Sequence, residues 1–171
     1  MKPAVKADAA AYIVRPATIA DVPYLYDLLD VYAQRGNLLP RAMSDLYRHL
    51  RDFFVIETDA TPVACGALEI FTEDLGEVRS LVVAEGYNGL GLGKLLVLRI
   101  VDEAHALGLG RLMALTYVPE FFHRLDFVTV PKNTLPEKVW GVCVKCYKFN
   151  RCDEIAVLLN LRKAAMEFQH D

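Results

Sequence analysis

A glycine-dense turn between a β-rich run and a long helical run constrains this chain more than any other feature. Tyr87-Asn88-Gly89-Leu90-Gly91-Leu92-Gly93-Lys94 leads into a stretch with apolar residues at Leu92, Leu95, Leu96, Ile100, Ala104 and Leu107. That period belongs to a helix with one buried face, and Gly108 and Gly110 mark its end. Residues 77–83 before it and 111–117 after it have strand composition. Strand, helix and strand in that order predict a parallel, right-handed crossover. The turn has the makings of an anion site. Amides at a helix start lack intrahelical partners, the helix dipole favours phosphate oxygens, and glycine lets the backbone come close. Lys94 adds a positive charge. Gly89-x-Gly91-x-Gly93 lacks the spacing of the dinucleotide fingerprint, and no Gly-Lys-Ser or Gly-Lys-Thr marks a nucleotide P-loop. The plainer alternative is a turn that only packs helix on strand.

The remaining segments fit around this unit. Residues 12–15 form a short β-like run closed by Pro16. Thr18 and Asp21 have the spacing of a capping box, ahead of a helix with Val22, Leu25, Leu28, Leu29 and Tyr32 on one face, stopped by Gly36 and Asn37. Ser44 is placed to cap a second helix carrying Leu46, Tyr47 and Leu50. Three strands follow, over 53–57, 63–71 and 77–83, with turns at 59–62 and at Glu73, Asp74 and Gly76. Beyond residue 117 the pattern predicts a short helix over 119–125, a strand over 127–130, a helix over 136–148 and a strand over 153–161. The fold class is α/β (α+β): a mixed, mostly antiparallel sheet of about seven strands with helices on both faces. One domain spans 12–162, between a disordered N-terminus (1–11) and a C-terminal tail (163–171).

Composition excludes several classes. The 171 residues are 54% hydrophobic and 24% charged with net charge −3, so no basic face for nucleic acid is implied. No run approaches the ~20 apolar residues of a membrane span, and no secretory signal is evident. A cytoplasmic location is expected. Of four cysteines, Cys65 sits in an apolar run as a small core residue. Cys143-x-x-Cys146-x5-Cys152 lacks a local fourth zinc ligand, and on a helix Cys143 and Cys146 share a face with Val139, Trp140 and Tyr147. Free thiols are favoured over a metal or redox site, and no metal is expected.

The chain resembles the GNAT superfamily of N-acetyltransferases. Their strand and (Gln/Arg)-x-x-Gly-x-(Gly/Ala) turn is similar to Leu81-Val82-Val83 followed by Asn88 to Gly93; Gly91 and Gly93 match, and Asn88 stands where Gln or Arg is usual. The order of elements matches from about residue 12 to 161. The resemblance implies acetyl-CoA as donor, with strands 77–83 and 111–117 splayed around pantetheine. It assigns Leu81, Val82, Val83, Asn88, Gly89, Gly91, Leu92, Gly93, Lys94, Phe121 and Phe122 to the cofactor. Asp126-Phe127 stands where the family usually has Gly-Phe.

Further segments resemble the acetyltransferase domain of N-acetylglutamate synthases, specifically the short bacterial kind. They are Gly36-Asn37-Leu38-Leu39-Pro40-Arg41, Gly76-Glu77-Val78-Arg79-Ser80-Leu81, Ala114-Leu115-Thr116 through Phe122, and Leu135-Pro136-Glu137 through Glu154. This implies L-glutamate as acceptor, the first step of arginine biosynthesis. Amine acetylation needs a base to free the amine and a donor for the developing oxyanion. Glu77 is the candidate base, in the position the resemblance gives the catalytic glutamate; otherwise it is a polar residue at a strand start. An amide near Val83 serves the oxyanion. Thr116, Tyr117 or solvent protonates the departing thiolate. Arg41, Arg79 and Arg151 are candidate carboxylate ligands, aided by Leu39 and Ser80. Strand alternation puts Glu77, Arg79 and Leu81 on one face. Open alternatives are another small amine or a protein N-terminus as acceptor, or a non-catalytic acetyl-CoA-binding module; a homodimer is an open assembly state.

Overall fold

A computed structural model describes residues 12–135 and 153–162. The N-terminal segment, the helix expected over 136–148, Cys143, Cys146, Arg151, Cys152 and the C-terminal tail lie outside the described residues. The elements are β1 (Val14–Pro16), α1 (Val22–Gln34), α2 (Met43–Arg48), β2 (Phe53–Thr58), β3 (Thr61–Ile70), β4 (Leu75–Val83), α3 (Leu92–Leu107), β5 (Arg111–Thr116), α4 (Pro119–His123), β6 (Val128–Thr129) and β7 (Ile155–Asn160). Seven strands form one sheet in the order β1-β2-β3-β4-β5-β7-β6. β4 and β5 pair in parallel; β1 with β2, β2 with β3, β5 with β7 and β6 with β7 are antiparallel. The expected mixed, mostly antiparallel sheet is therefore observed. No helix among the described residues is long and apolar enough to cross a membrane.

The described residues cluster into two compact units, 12–67 with 80–100, and 68–79 with 101–135 and 153–162. In the first, Val22, Leu25 and Leu29 of α1 and Leu46 of α2 pack with Phe53, Val55, Cys65, Ala67 and Val82 of the sheet. The neighbour of Cys65 points the other way: a side chain at Gly66 would meet Ile100, Leu96 and Leu81. Alternation along β3 thus places α1 and α2 on one face of this unit and α3 on the other. Burial pushes the Cys65 thiol up to about 12, as suits a core residue.

The start of α1 is fixed by charge as well as capping. The Thr18–Asp21 box is present, but it opens a 3-10 turn at Ile19–Asp21, and α1 begins at Val22. The buried Asp21 carboxylate also accepts both terminal nitrogens of Arg15, at 2.7 and 2.9 Å, and Arg15 reaches Glu57 at 2.9 Å. The Arg15 hydrogen bonds hold Asp21 well below the usual carboxylate range, outweighing its burial.

In the second unit, Leu75, Met113, Leu135 and Ala156 form a separate core with Phe71, Leu115, Val130 and Leu158 around it. Asp74 ties this unit's turns together, taking Arg111 Nε at 2.6 Å and Arg162 Nη2 at 2.5 Å while its carbonyl accepts the amides of Gly110 and Arg111. A Cβ at Gly110 would lie 2.1 Å from Asp74 Oδ1, so this glycine serves close approach as well as the end of α3.

Three local expectations are corrected. Ser44 lies inside α2, whose N-cap is Ala42, because the helix starts two residues earlier than the hydroxyl suggests. Gly76 belongs to β4 rather than the preceding turn; its missing side chain makes room for Leu109 and Leu68. Leu81 does not share a face with Glu77 and Arg79. Ser80 adopts φ +52°, which breaks the alternation, so Leu81 turns toward Gly66 and Val82 joins the α1 core.

Candidate active site

The first unit carries the glycine-rich turn. Gly89 and Gly91 adopt φ +77° and +78°, a left-handed conformation costly for other residues, and a Cβ at either would meet nothing within 4 Å. They are thus glycine for conformation, and the space beside them is open. Leu95 N–H bonds the Gly91 carbonyl at 3.1 Å, which closes the first turn of the 16-residue α3. The amides of Leu92, Gly93 and Lys94 precede that bond and face the helix start. Asn88, Gly89, Gly91 and Lys94 are exposed, whereas Leu92 is buried and anchors the turn through its side chain. This is the arrangement that holds phosphate oxygens by backbone amides.

β4 leads into this turn. Its parallel register to β5 comprises Leu75↔Arg111, Gly76↔Leu112 and Glu77↔Met113, and the strand continues to Val83. Tyr32 of α1 donates its hydroxyl proton to the Val83 carbonyl at 2.5 Å. Its helical spacing marked Tyr32 only as a core residue; no sequence signal pointed to this contact. Leu81 and Val83 are half-buried, and Val82 is buried.

Arg41 and Ser80 meet. Arg41 Nη1 donates to Ser80 Oγ at 3.1 Å, and the guanidinium lies 5.2 Å from the Phe53 ring centroid. Asp45, which the sequence reading missed, takes Arg41 Nε at 3.0 Å and Nη2 at 2.9 Å on one oxygen. The signal was the i,i+4 spacing, legible only once the start of α2 is known. Burial raises the Asp45 pKa, but the Arg41 hydrogen bond and charge, with His49 and Arg48, bring it below the usual carboxylate value. Leu39 is half-buried in the loop before Arg41.

The second unit holds the candidate base. Glu77 is only 3% exposed and, with Asp21 and Thr116, is one of three buried polar residues among those described. Arg79 Nε lies 3.9 Å from Glu77 Oε2, and Arg79 also bonds Glu69 of β3. Glu69 was missed because its pairing depends on the hairpin register. At the end of β5, the buried Thr116 hydroxyl accepts the Val118 amide at 2.9 Å, while Tyr117 donates its proton to Asp153 at 3.0 Å. Phe122 packs edge-on between Phe121 and Phe127 and is a core residue; Phe121 stays half-buried. Asp126 adopts φ +68°, a left-handed conformation that a glycine would take without strain.

Comparison with known proteins gives related matches. The acetyltransferase (GNAT) family model matches residues 22–127. An uncharacterized N-acetyltransferase of Chlorobaculum tepidum is 34% identical over 153 residues, covering 90% of this chain and 99% of that protein. An amino-acid acetyltransferase of Mycobacterium tuberculosis is 33% identical over 138 residues, covering 79% of each. The crystal structure of N-acetylglutamate synthase from Neisseria gonorrhoeae, complexed with coenzyme A and N-acetyl-glutamate, gives a TM-score of 0.81 at 30% identity. That match covers 91% of this chain but 36% of the synthase, so this chain spans about a third of that relative.

Proposed function

Since the chain belongs to the GNAT acetyltransferase family, we propose that it moves the acetyl group of acetyl-CoA onto the α-amino group of L-glutamate. It is an N-acetyltransferase. The glutamate assignment draws support from the amino-acid acetyltransferase of Mycobacterium tuberculosis and the gonococcal synthase. The observation that carries it is Arg41. Asp45 and Ser80 accept hydrogen bonds from Nε and Nη1, and Nη2 pairs with Asp45 at 2.9 Å, which leaves donor capacity on Nη1 and Nη2 for a carboxylate from outside.

Acetyl-CoA supplies a thioester whose acyl carbon accepts the amine. The chain's own groups supply the rest. Gly89, Gly91 and the amides of Leu92, Gly93 and Lys94 cradle the pyrophosphate, which fits the open space beside the glycines. The half-buried Leu81 and Val83 offer backbone groups to pantetheine, with Tyr32 fixing the last peptide of β4, and Phe121 flanks the cofactor. Glu77 takes the proton from the ammonium of glutamate, with Arg79 as its near countercharge. An amide near Val83 stabilises the oxyanion. Thr116, Tyr117 or solvent returns a proton to the thiolate. Arg41 grips an acceptor carboxylate beside Ser80 and Leu39. Arg79 is a second candidate, though Glu69 and Glu77 already share it, and Arg151 a third. The reaction would open arginine biosynthesis in the cytoplasm.

The test is CoA release from acetyl-CoA against a panel of acceptors. L-Glutamate is expected to give a kcat/KM at least about tenfold above ornithine, putrescine and a peptide N-terminus, the ratio of one charge-assisted carboxylate contact. Preference for a cationic amine would overturn the acceptor assignment. Acetyl-CoA binding without turnover on any acceptor would point to a binding module.

A further inference from the structure

Arg41 is held at one edge, one end and one face of its guanidinium. Its Nε and Nη2 edge rests on Asp45 Oδ2 at 3.0 and 2.9 Å, its Nη1 end donates to Ser80 Oγ at 3.1 Å, and its face lies over the Phe53 ring. The side chain is 14% exposed. Arginine has a long, flexible stem, and a guanidinium recognises a carboxylate well only when its plane and donor edge are fixed. Ser80 and Phe53 lie on the sheet, but each touches the group at one end or one face. Asp45 alone takes a whole edge. It can do so because α2 begins at Met43, which puts Asp45 in the first turn, four residues after Arg41. The second Asp45 oxygen faces His49 Nε2 at 3.5 Å, away from this contact.

We propose that Asp45 is the positioning residue of the acceptor site: it clamps one edge of Arg41 so that the remaining Nη1 and Nη2 hydrogens are presented to an acceptor carboxylate. This rests on the reading that Arg41 receives that carboxylate. Asp45 touches neither substrate. Its removal frees the guanidinium to sample other rotamers, and acceptor binding weakens while the transfer step is unaltered. One feature of the pair makes this testable: an asparagine at 45 loses the charge but keeps an oxygen able to accept from Nε and Nη2.

The experiment is steady-state kinetics on the full chain with acetyl-CoA and L-glutamate, with thermal melts alongside. The variants are Asp45→Ala, Asp45→Asn, Arg41→Ala and the Arg41→Ala, Asp45→Ala double. Asp45→Ala is expected to raise the glutamate KM roughly five- to tenfold, with kcat and the acetyl-CoA KM changed by less than about twofold. Asp45→Asn recovers most of that loss. In the Arg41→Ala background, Asp45→Ala adds nothing further, because the group it positions is gone. Should the alanine variant fold poorly, Asp45→Ser, too short to reach Arg41, gives the same readout. A raised glutamate KM for Arg41→Ala with an unchanged one for Asp45→Ala would overturn the proposal while leaving the acceptor assignment standing. So would an Asp45 effect that persists undiminished without Arg41, or that moves both substrates' KM alike. An unchanged glutamate KM for Arg41→Ala removes the acceptor assignment itself, and Asp45 with it.

Discussion

Glu77→Gln is expected to lower kcat for the proposed glutamate acetylation by about 10²–10⁴-fold, the usual contribution of a general base, and to leave acetyl-CoA binding near wild type. The amide matches the carboxylate in shape, so the buried site at the β4 register pair with Met113 is kept. What is lost is an atom that accepts the ammonium proton. The variant must then draw on the small fraction of amine already neutral in solution, so its residual rate climbs with pH. Wild type does not depend on that fraction in the same way, and the gap between the two narrows toward alkaline pH. Rate measurements from about pH 7 to 9.5 check both points. Turnover within about threefold of wild type would reduce Glu77 to a countercharge for Arg79.

The largest effect on stability is expected at Asp21. Its carboxylate is buried, paired edge to edge with Arg15, and bonded to the Thr18 amide at 2.7 Å. Asp21→Ala removes the capping box and leaves Arg15 with Glu57 and the Pro16 carbonyl. Breaking a fully buried pair costs about 3–5 kcal/mol; Arg15 retains partial access to water, so about 2–3 kcal/mol is expected here. The pH dependence has a definite sign. The folded Asp21 is held below its unfolded pKa, so its contribution is complete above the ordinary carboxylate value of about 4. That contribution disappears as pH falls through the folded pKa, because protonation of the folded form is disfavoured. Urea melts from pH 7 to pH 3 should show wild type losing stability toward acid, and Asp21→Ala losing less. Parallel pH profiles for the two proteins would assign the acid sensitivity elsewhere.

What the sequence disclosed was local. Helix α3 has a strong apolar period and glycines at both ends, and it occupies Leu92–Leu107 as that pattern predicts. The Thr18–Asp21 box is a matter of three-residue spacing and was legible for the same reason. Two of the contacts that shape the candidate site join partners distant in sequence. Arg41 is thirty-nine positions from Ser80, and Tyr32 is fifty-one from Val83. Neither distance leaves a mark on periodicity. The kink at Ser80 was hidden because serine carries no signature of a left-handed backbone, yet it decides which way Leu81 and Val82 face. Asp126 is the converse: a departure from the family's Gly-Phe was visible in the sequence, but its meaning needed the backbone angle.

Every proposed catalytic role requires the turn around Gly89 and Gly91 to act as a cradle for acetyl-CoA. Isothermal titration of the purified chain with CoA tests this without reference to any acceptor. Saturable binding of one CoA per chain, with a Kd between about 1 μM and 1 mM, is the predicted result, in the range typical of enzyme–substrate affinities. Absence of saturable binding at millimolar CoA, from protein shown to be folded, would contradict it.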